Sequence, residues 1–339
     1  MIGEFATRLV DERRLAYLSA AAVMRSGVDC FGPLIAAVEQ AYMAHARGDV
    51  LLPKSDYLRY PERPSYDRII PLLGYLGHPF AVSGLKQICS GTGNVALGFP
   101  RASGLIILND PATNRPFGLL EASLISAART AAVSGLALRE FSGPAMGVVA
   151  IVGCGQLGLT HIQMIIQEHG ADRFEFLIHD VMAERAAAAV DLARALGAAA
   201  QATATARAAI EAADIIIPAT TAEQAHIKAE WLRADHLYCA VSLLDAELDV
   251  FRRADHIVVD DLKQCLHENR PLDQLDRLGE LREGQAIEIG TLIGRDRTWG
   301  RGQGRLVFNP MGTVITDLAV AKTLFDRAAE AGDFVLLEI

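Results

Sequence analysis

Val148-Val149-Ala150-Ile151-Val152-Gly153-Cys154-Gly155-Gln156-Leu157-Gly158 decides how this sequence folds. Three glycines at that spacing turn up by chance in loops. Here they follow a five-residue apolar run and open a helical pattern, the setting that gives the motif meaning. Gly153 then permits a tight turn, Gly155 lets backbone approach a pyrophosphate, and Gly158 lets helix pack on strand. The phosphates meet the positive end of a helix, beside Gln156 and Leu157. The next strand pattern, 174–179, ends in Asp180, 22 residues beyond Gly158. An acid placed there accepts hydrogen bonds from an adenosine ribose and repels a 2′-phosphate. No arginine follows directly, the nearest being Arg185, so the expected cofactor is NAD rather than NADP. His179 is only a neighbour at the strand end.

Around this motif, short β-branched runs alternate with Ala-rich helical stretches: 147–152, 157–168, 174–179, 183–196 and 215–218, with further strands at 236–241 and 256–259. Such alternation marks a parallel sheet covered by helices. The block before it differs. A helix with Leu34, Ile35, Val38 and Tyr42 on one face precedes strand patterns at 68–73, 80–88 and 104–109 and a turn at 109–116. A long Ala-rich helix over 121–139 ends at Ser142-Gly143-Pro144, and the tail is helical over 313–328. A helix beyond the last Rossmann strand often returns to the first domain. The expected class is therefore α/β: a Rossmann dinucleotide-binding domain over 142–312 and a discontinuous α+β domain over 1–141 and 313–339.

Composition narrows the function. The 339 residues fit two domains, and 51% hydrophobic with 22% charged residues is ordinary globular composition. A net charge of −9 argues against a nucleic-acid surface. Mean hydropathy is +0.23, yet no apolar run approaches the ~18 residues of a membrane span. The first 18 residues carry Glu4, Arg8, Asp11, Glu12, Arg13 and Arg14, unlike a signal peptide, so the cytoplasm is expected. Five scattered cysteines with no CxxC suit small buried thiols rather than disulfides or zinc.

Several residues outside the glycine loop carry chemistry. Lys86 lies in a strand that is otherwise apolar on alternate positions, where a solvated surface lysine would be the ordinary reading. Arg129 sits in an Ala-rich helix and needs an anionic partner; Glu121, eight residues away, is poorly spaced to supply it. Asp245 follows the 236–241 strand and could instead cap a helix. Asp317 is a competing acid, better suited to a cap or salt bridge. Arg59 could be a solvated loop residue, and Arg68 and Arg101 carry weaker signals. Asp260-Asp261 has no His or Cys to complete a metal set and reads as loop polarity, so no metal is expected.

Lys86, Pro100-Arg101-Ala102-Ser103-Gly104 and the run Glu121-Ala122-Ser123-Leu124-Ile125-Ser126-Ala127-Ala128-Arg129-Thr130-Ala131-Ala132 resemble the ornithine cyclodeaminase/mu-crystallin family over essentially the whole chain. Four further stretches sharpen the resemblance toward dehydrogenases of opine-like conjugates: Tyr57-Leu58-Arg59, Asp67-Arg68-Ile69-Ile70, Arg101 to Asp110, and Asn309-Pro310-Met311-Gly312. True cyclodeaminases usually show Asp-Gly where this chain has Glu121-Ala122, which counts against ring closure of ornithine. The resemblance implies a homodimer in which two first-block sheets pair into a closed barrel. It implies Lys86 and Asp245 as catalytic groups, with Arg59, Lys86, Arg129 and Arg68 for substrate carboxylates. It implies Ser103, Arg129, Thr130, Thr220, Thr221, Val241, Met311 and Gly312 near the cofactor, with the glycine loop and Asp180. The reaction it implies is NAD-dependent oxidation of a secondary amine in an amino-acid conjugate. Cyclodeamination, cyclic ketimine reduction and simple nucleotide and ligand binding are the alternatives.

Overall fold

In the computed structural model, residues 3–64, 67–242, 244–267, 269–293 and 304–339 are described. The glycine motif sits in an eight-stranded sheet whose pairings are all parallel. Its order runs Ala200–Ala202, Glu175–His179, Val148–Val152, Ile215–Pro218, His236–Cys239, Arg305–Asn309, His256–Val259, Ala286–Glu288. The order reverses between Val148–Val152 and Ile215–Pro218, the switch point at which ligands bind beyond the carboxyl ends of such strands. Ile215, Ile216 and Ile217 are fully buried, as near-continuous apolar strands must be when helices cover both faces. Two expected strands, Ile215–Pro218 and His256–Val259, have the bounds that the sequence suggests. Arg305–Asn309 was not anticipated; it inserts between strands far from it in sequence.

The other sheet is mostly antiparallel. It runs from the Val335–Glu338 edge through Arg14–Leu18, Pro116–Glu121, Ala102–Asn109, Val82–Ser90 and Arg68–Leu76 to Val50–Leu51, with Leu58–Arg59 also on Arg68–Leu76. The Val314–Ala331 helix packs on it. Paired Gly74 and Gly84 make this close approach possible. A Cβ at Gly74 would lie 2.5 Å from Val314, and one at Gly84 would lie 2.6 Å from Leu318. The Phe31–Ala46 helix buries Leu34, Ile35, Val38 and Tyr42, the face that its spacing specified.

The chain divides into two units, Met1–Arg129 with Thr313–Ile339 and Thr130–Gly312. The first is discontinuous. The break does not fall at 141/142 but inside the Ser123–Phe141 helix. The second half of that helix is tied into the second unit, where Ser134 Oγ meets His161 Nε2 at 2.9 Å. His161 is fully buried, and burial pushes its imidazole down to about 4. All five cysteines are free. No described helix is long and apolar enough to cross a membrane.

Candidate active site

In the first unit the strand Val82–Ser90 turns Gly84 and Lys86 toward the Val314–Ala331 helix. Lys86 is 1% exposed. Its Nζ lies 2.7 Å from Oδ2 of Asp317, which is fully buried. The other oxygen, Oδ1, accepts from Nε of Arg129 at 2.9 Å. One carboxylate therefore serves two cations, leaving one positive charge in excess when Lys86 is protonated. Burial pushes the Lys86 ammonium down, the Arg129 charge pushes the same way, and Asp317 opposes both, to give about 8. The terminal Nη groups of Arg129 donate to no described residue. The salt-bridge reading of Asp317 is the one that the structure realises. Glu121 instead accepts from the Ser123 and Leu124 N–H groups at 2.6 and 3.0 Å, satisfying the start of the helix that carries Arg129.

Arg59 and Arg68 are paired across neighbouring strands, and their guanidiniums lie 4.8 and 5.3 Å from the centre of the Tyr57 ring. Arg68 is also opposite Ser90, and Leu72 opposite Lys86, so Arg68 and Lys86 share a sheet face. Four residues separate their rows, about 13 Å along a strand. Ser103 pairs with Cys89, on the opposite sheet face from Lys86.

The second unit holds the glycine loop. Gly153 has a φ of +96°, and a Cβ there would lie 2.7 Å from the Ala219 carbonyl oxygen. One at Gly158 would lie 2.1 Å from the Gly153 carbonyl oxygen. A Cβ at Gly155 would meet nothing within 4 Å, so nothing in the protein requires glycine there, whereas a closely approaching pyrophosphate would. Asp180 Oδ2 accepts from the Cys154 N–H at 2.7 Å and Oδ1 from the Met182 N–H at 2.9 Å. The acid thus braces the loop, and its remaining lone pairs are available to ribose hydroxyls. Burial, with help from Asp180, pushes the Cys154 thiol up to about 12. Gln156 and Leu157 open the Gln156–His169 helix.

Asp245, 1% exposed, belongs to the same unit. It caps no helix: Glu247 precedes the Leu248–Arg252 helix. Its carboxyl is held by the hydroxyls of Thr220 and Ser242, with His226 Nδ1 3.8 Å away. Ser242 Oγ also lies 2.9 Å from the Pro218 carbonyl and accepts from the Thr220 N–H. A hydroxyl has one proton to donate. That proton is shared between the Pro218 carbonyl and the Asp245 carboxylate. Burial raises the Asp245 carboxyl above its ordinary range, against the hydroxyl and His226 contacts.

Thr221 and Val241 lie in loops following two of the parallel strands, Ile215–Pro218 and His236–Cys239. The Met311 and Gly312 N–H groups donate to the Asp260 carboxylate at 2.9 and 2.8 Å. Asp260 is thus a buried anchor for that segment rather than mere loop polarity, and Asp261 caps the Leu262–Cys265 helix. Thr130 follows Arg129 on the Ser123–Phe141 helix.

The model of the ornithine cyclodeaminase/mu-crystallin family matches residues 20–332. The chain is 32% identical to N-((2S)-2-amino-2-carboxyethyl)-L-glutamate dehydrogenase of Staphylococcus aureus over 94% of its own length and 96% of that protein's. Among solved structures, CmnK superposes with a TM-score of 0.86 at 26% identity, covering 96% of this chain and 99% of that one. An archaeal alanine dehydrogenase dimer with bound NAD superposes at 0.82 and 23% identity, covering 96% and 99%; at that identity it speaks to the fold.

Proposed function

The chain belongs to the ornithine cyclodeaminase/mu-crystallin family, and from that premise we propose that it oxidises N-(2-amino-2-carboxyethyl)-L-glutamate, giving 2-oxoglutarate and 2,3-diaminopropionate, a siderophore precursor. It is an enzyme of the amino-acid dehydrogenase type, and its cofactor is NAD. The observation that carries the reading is the buried Lys86–Asp317–Arg129 cluster with Arg59 and Arg68 about 13 Å along the same sheet. A small monocarboxylic amino acid needs one clamp; a tricarboxylic conjugate uses several, because charge-assisted pairs with arginine are strong and directional.

The glycine loop, open at Gly155 and braced by Asp180, fits a dinucleotide pyrophosphate and ribose. NAD, when bound, supplies the two-electron oxidant by accepting the hydride from the glutamate α-carbon. What remains falls to the chain. Arg129 holds a carboxylate with its Nη fork. Lys86, whose amine loses its proton near 8, takes a proton from the water that adds to the imine carbon. Asp245 exchanges a proton with the nitrogen, so that the C–N bond breaks with the amine leaving neutral. Water ends as the keto oxygen. The same unit-one sheet exposes Leu51, Leu73 and Leu105 on one face, and the segment between its Val82–Ser90 and Ala102–Asn109 strands exposes Leu97 and Phe99. Apolar surface of that extent suits pairing with a second copy, giving a homodimer.

The test is incubation with NAD and a series comprising the conjugate, L-ornithine, L-proline and L-alanine. NADH formed in step with 2-oxoglutarate, from the conjugate alone, is expected. Product from ornithine without net NADH would identify a cyclodeaminase, and nucleotide binding without turnover a binding protein.

A further inference from the structure

Asp317 has no part in the reaction as written above, yet it touches both residues on which the substrate half depends. We propose that Asp317 is a positioning residue that holds Lys86 and Arg129 in working orientation and sets the charge that the pair presents to a carboxylate. This rests on the reading of Lys86 and Arg129 as the substrate-facing cations. The geometry divides the labour by atom. Oδ1 takes Nε of Arg129, so the guanidinium is gripped by its stem side and its Nη fork points free of Asp317. Oδ2 faces Lys86 Nζ at 2.7 Å. Two cations on one shared carboxylate leave room for one more anion, which a ligand carboxylate supplies.

The carboxylate is fully buried, and its helix is drawn close to the sheet at Gly74 and Gly84. Among the described residues, the charged groups around Lys86 are Arg129 and Asp317, with opposed effects: Asp317 favours the ammonium and Arg129 disfavours it. Removing the Asp317 charge while keeping the shape, Asp317→Asn, therefore leaves Lys86 beside an uncompensated guanidinium.

The chain has five lysines, Lys54, Lys86, Lys228, Lys263 and Lys322, which makes a titration by lysine 13Cε NMR tractable in the full-length protein, with Lys86 assigned by its loss in Lys86→Met. In the wild type the Lys86 signal is expected to titrate near 8. In Asp317→Asn its midpoint should fall by about one unit or more, the effect of losing an opposite charge at this range. Asp317→Glu should stay near wild type. With turnover measured alongside, the Asn variant should show a raised KM and its kcat/KM limb displaced to lower pH. An unmoved midpoint in a folded Asn variant would overturn the role. So would a wild-type spectrum in which all five lysine signals titrate together, which needs no variant to fold. A shifted midpoint without turnover on the conjugate would uphold the role of Asp317 and refute the proposed reaction.

Discussion

Asp317 and Asp245 are two buried aspartates with opposite surroundings. Asp317 lies between an ammonium and a guanidinium; Asp245 lies among hydroxyls, with the half-exposed His226 imidazole 3.8 Å away. Burial penalises a carboxylate in both places. In the first, an ammonium and a guanidinium take one oxygen each, and the carboxylate holds both cations in place. In the second, hydroxyl contacts do not fully offset that penalty, and the carboxyl rises toward a group that can carry a proton. The same side chain meets cations in one unit and hydroxyls in the other, and in the proposed reaction it is the second that exchanges a proton.

The comparison can be broken most severely at Lys86. Lys86→Ala should lower kcat by about 100- to 10,000-fold, the span of a lost general acid–base, while NAD titrated by fluorescence still binds. Near-normal turnover would remove the lysine from the mechanism. The pH dependence follows from the same group. Its folded value of about 8 is below the ordinary 10.5, so kcat/KM should climb with pH toward 8 as the free amine forms. The folded state also binds fewer protons than the unfolded state between about 8 and 10.5, so urea stability of the wild type relative to Lys86→Ala should increase across that window.

Asp245→Asn keeps the shape and removes the proton. A loss of about 100-fold in kcat is expected, with KM little changed. A large KM effect with unchanged kcat would make Asp245 a binding residue instead. Arg129→Lys should cost about 1.5–3 kcal/mol in substrate affinity, the worth of a charged hydrogen bond. An ammonium cannot reproduce the fork, nor keep both the Asp317 contact and a bidentate ligand. A wild-type KM in this variant would remove the clamp. Smallest is Asp180→Ala, which should weaken NAD about tenfold, on the order of one hydrogen bond, and narrow its advantage over NADP. Equal binding of both by the wild type would contradict the assignment.

The parallel sheet and its glycine loop were legible because their signals are local: apolar run, turn glycines and helix pattern lie within a few residues. The cation cluster was legible only in pieces. Arg129 and Asp317 are 188 residues apart, and no spacing links them. An Ala-rich helix with a lone arginine announces that a partner is needed but not which one. Asp260 reads as loop polarity for a similar reason, since its partners Met311 and Gly312 are some fifty residues on and are backbone N–H groups, which leave no mark in the side-chain pattern. The strands Arg14–Leu18 and Val335–Glu338, the second at the sheet's edge, carry no comparable signal. Each is short, and their pairing with one another joins the two ends of the chain. The domain break escaped because a continuous helix crosses it, and the sequence offers no breaker near 129.

The most direct test of the account is the fate of the hydrogen on the glutamate α-carbon. With N-(2-amino-2-carboxyethyl)-L-glutamate deuterated at that carbon and NAD in excess, the deuterium should be recovered on NADH, with unlabelled 2,3-diaminopropionate and 2-oxoglutarate as products. Deuterium retained in released L-glutamate would mean oxidation on the other side of the nitrogen, and would contradict the proposed reaction.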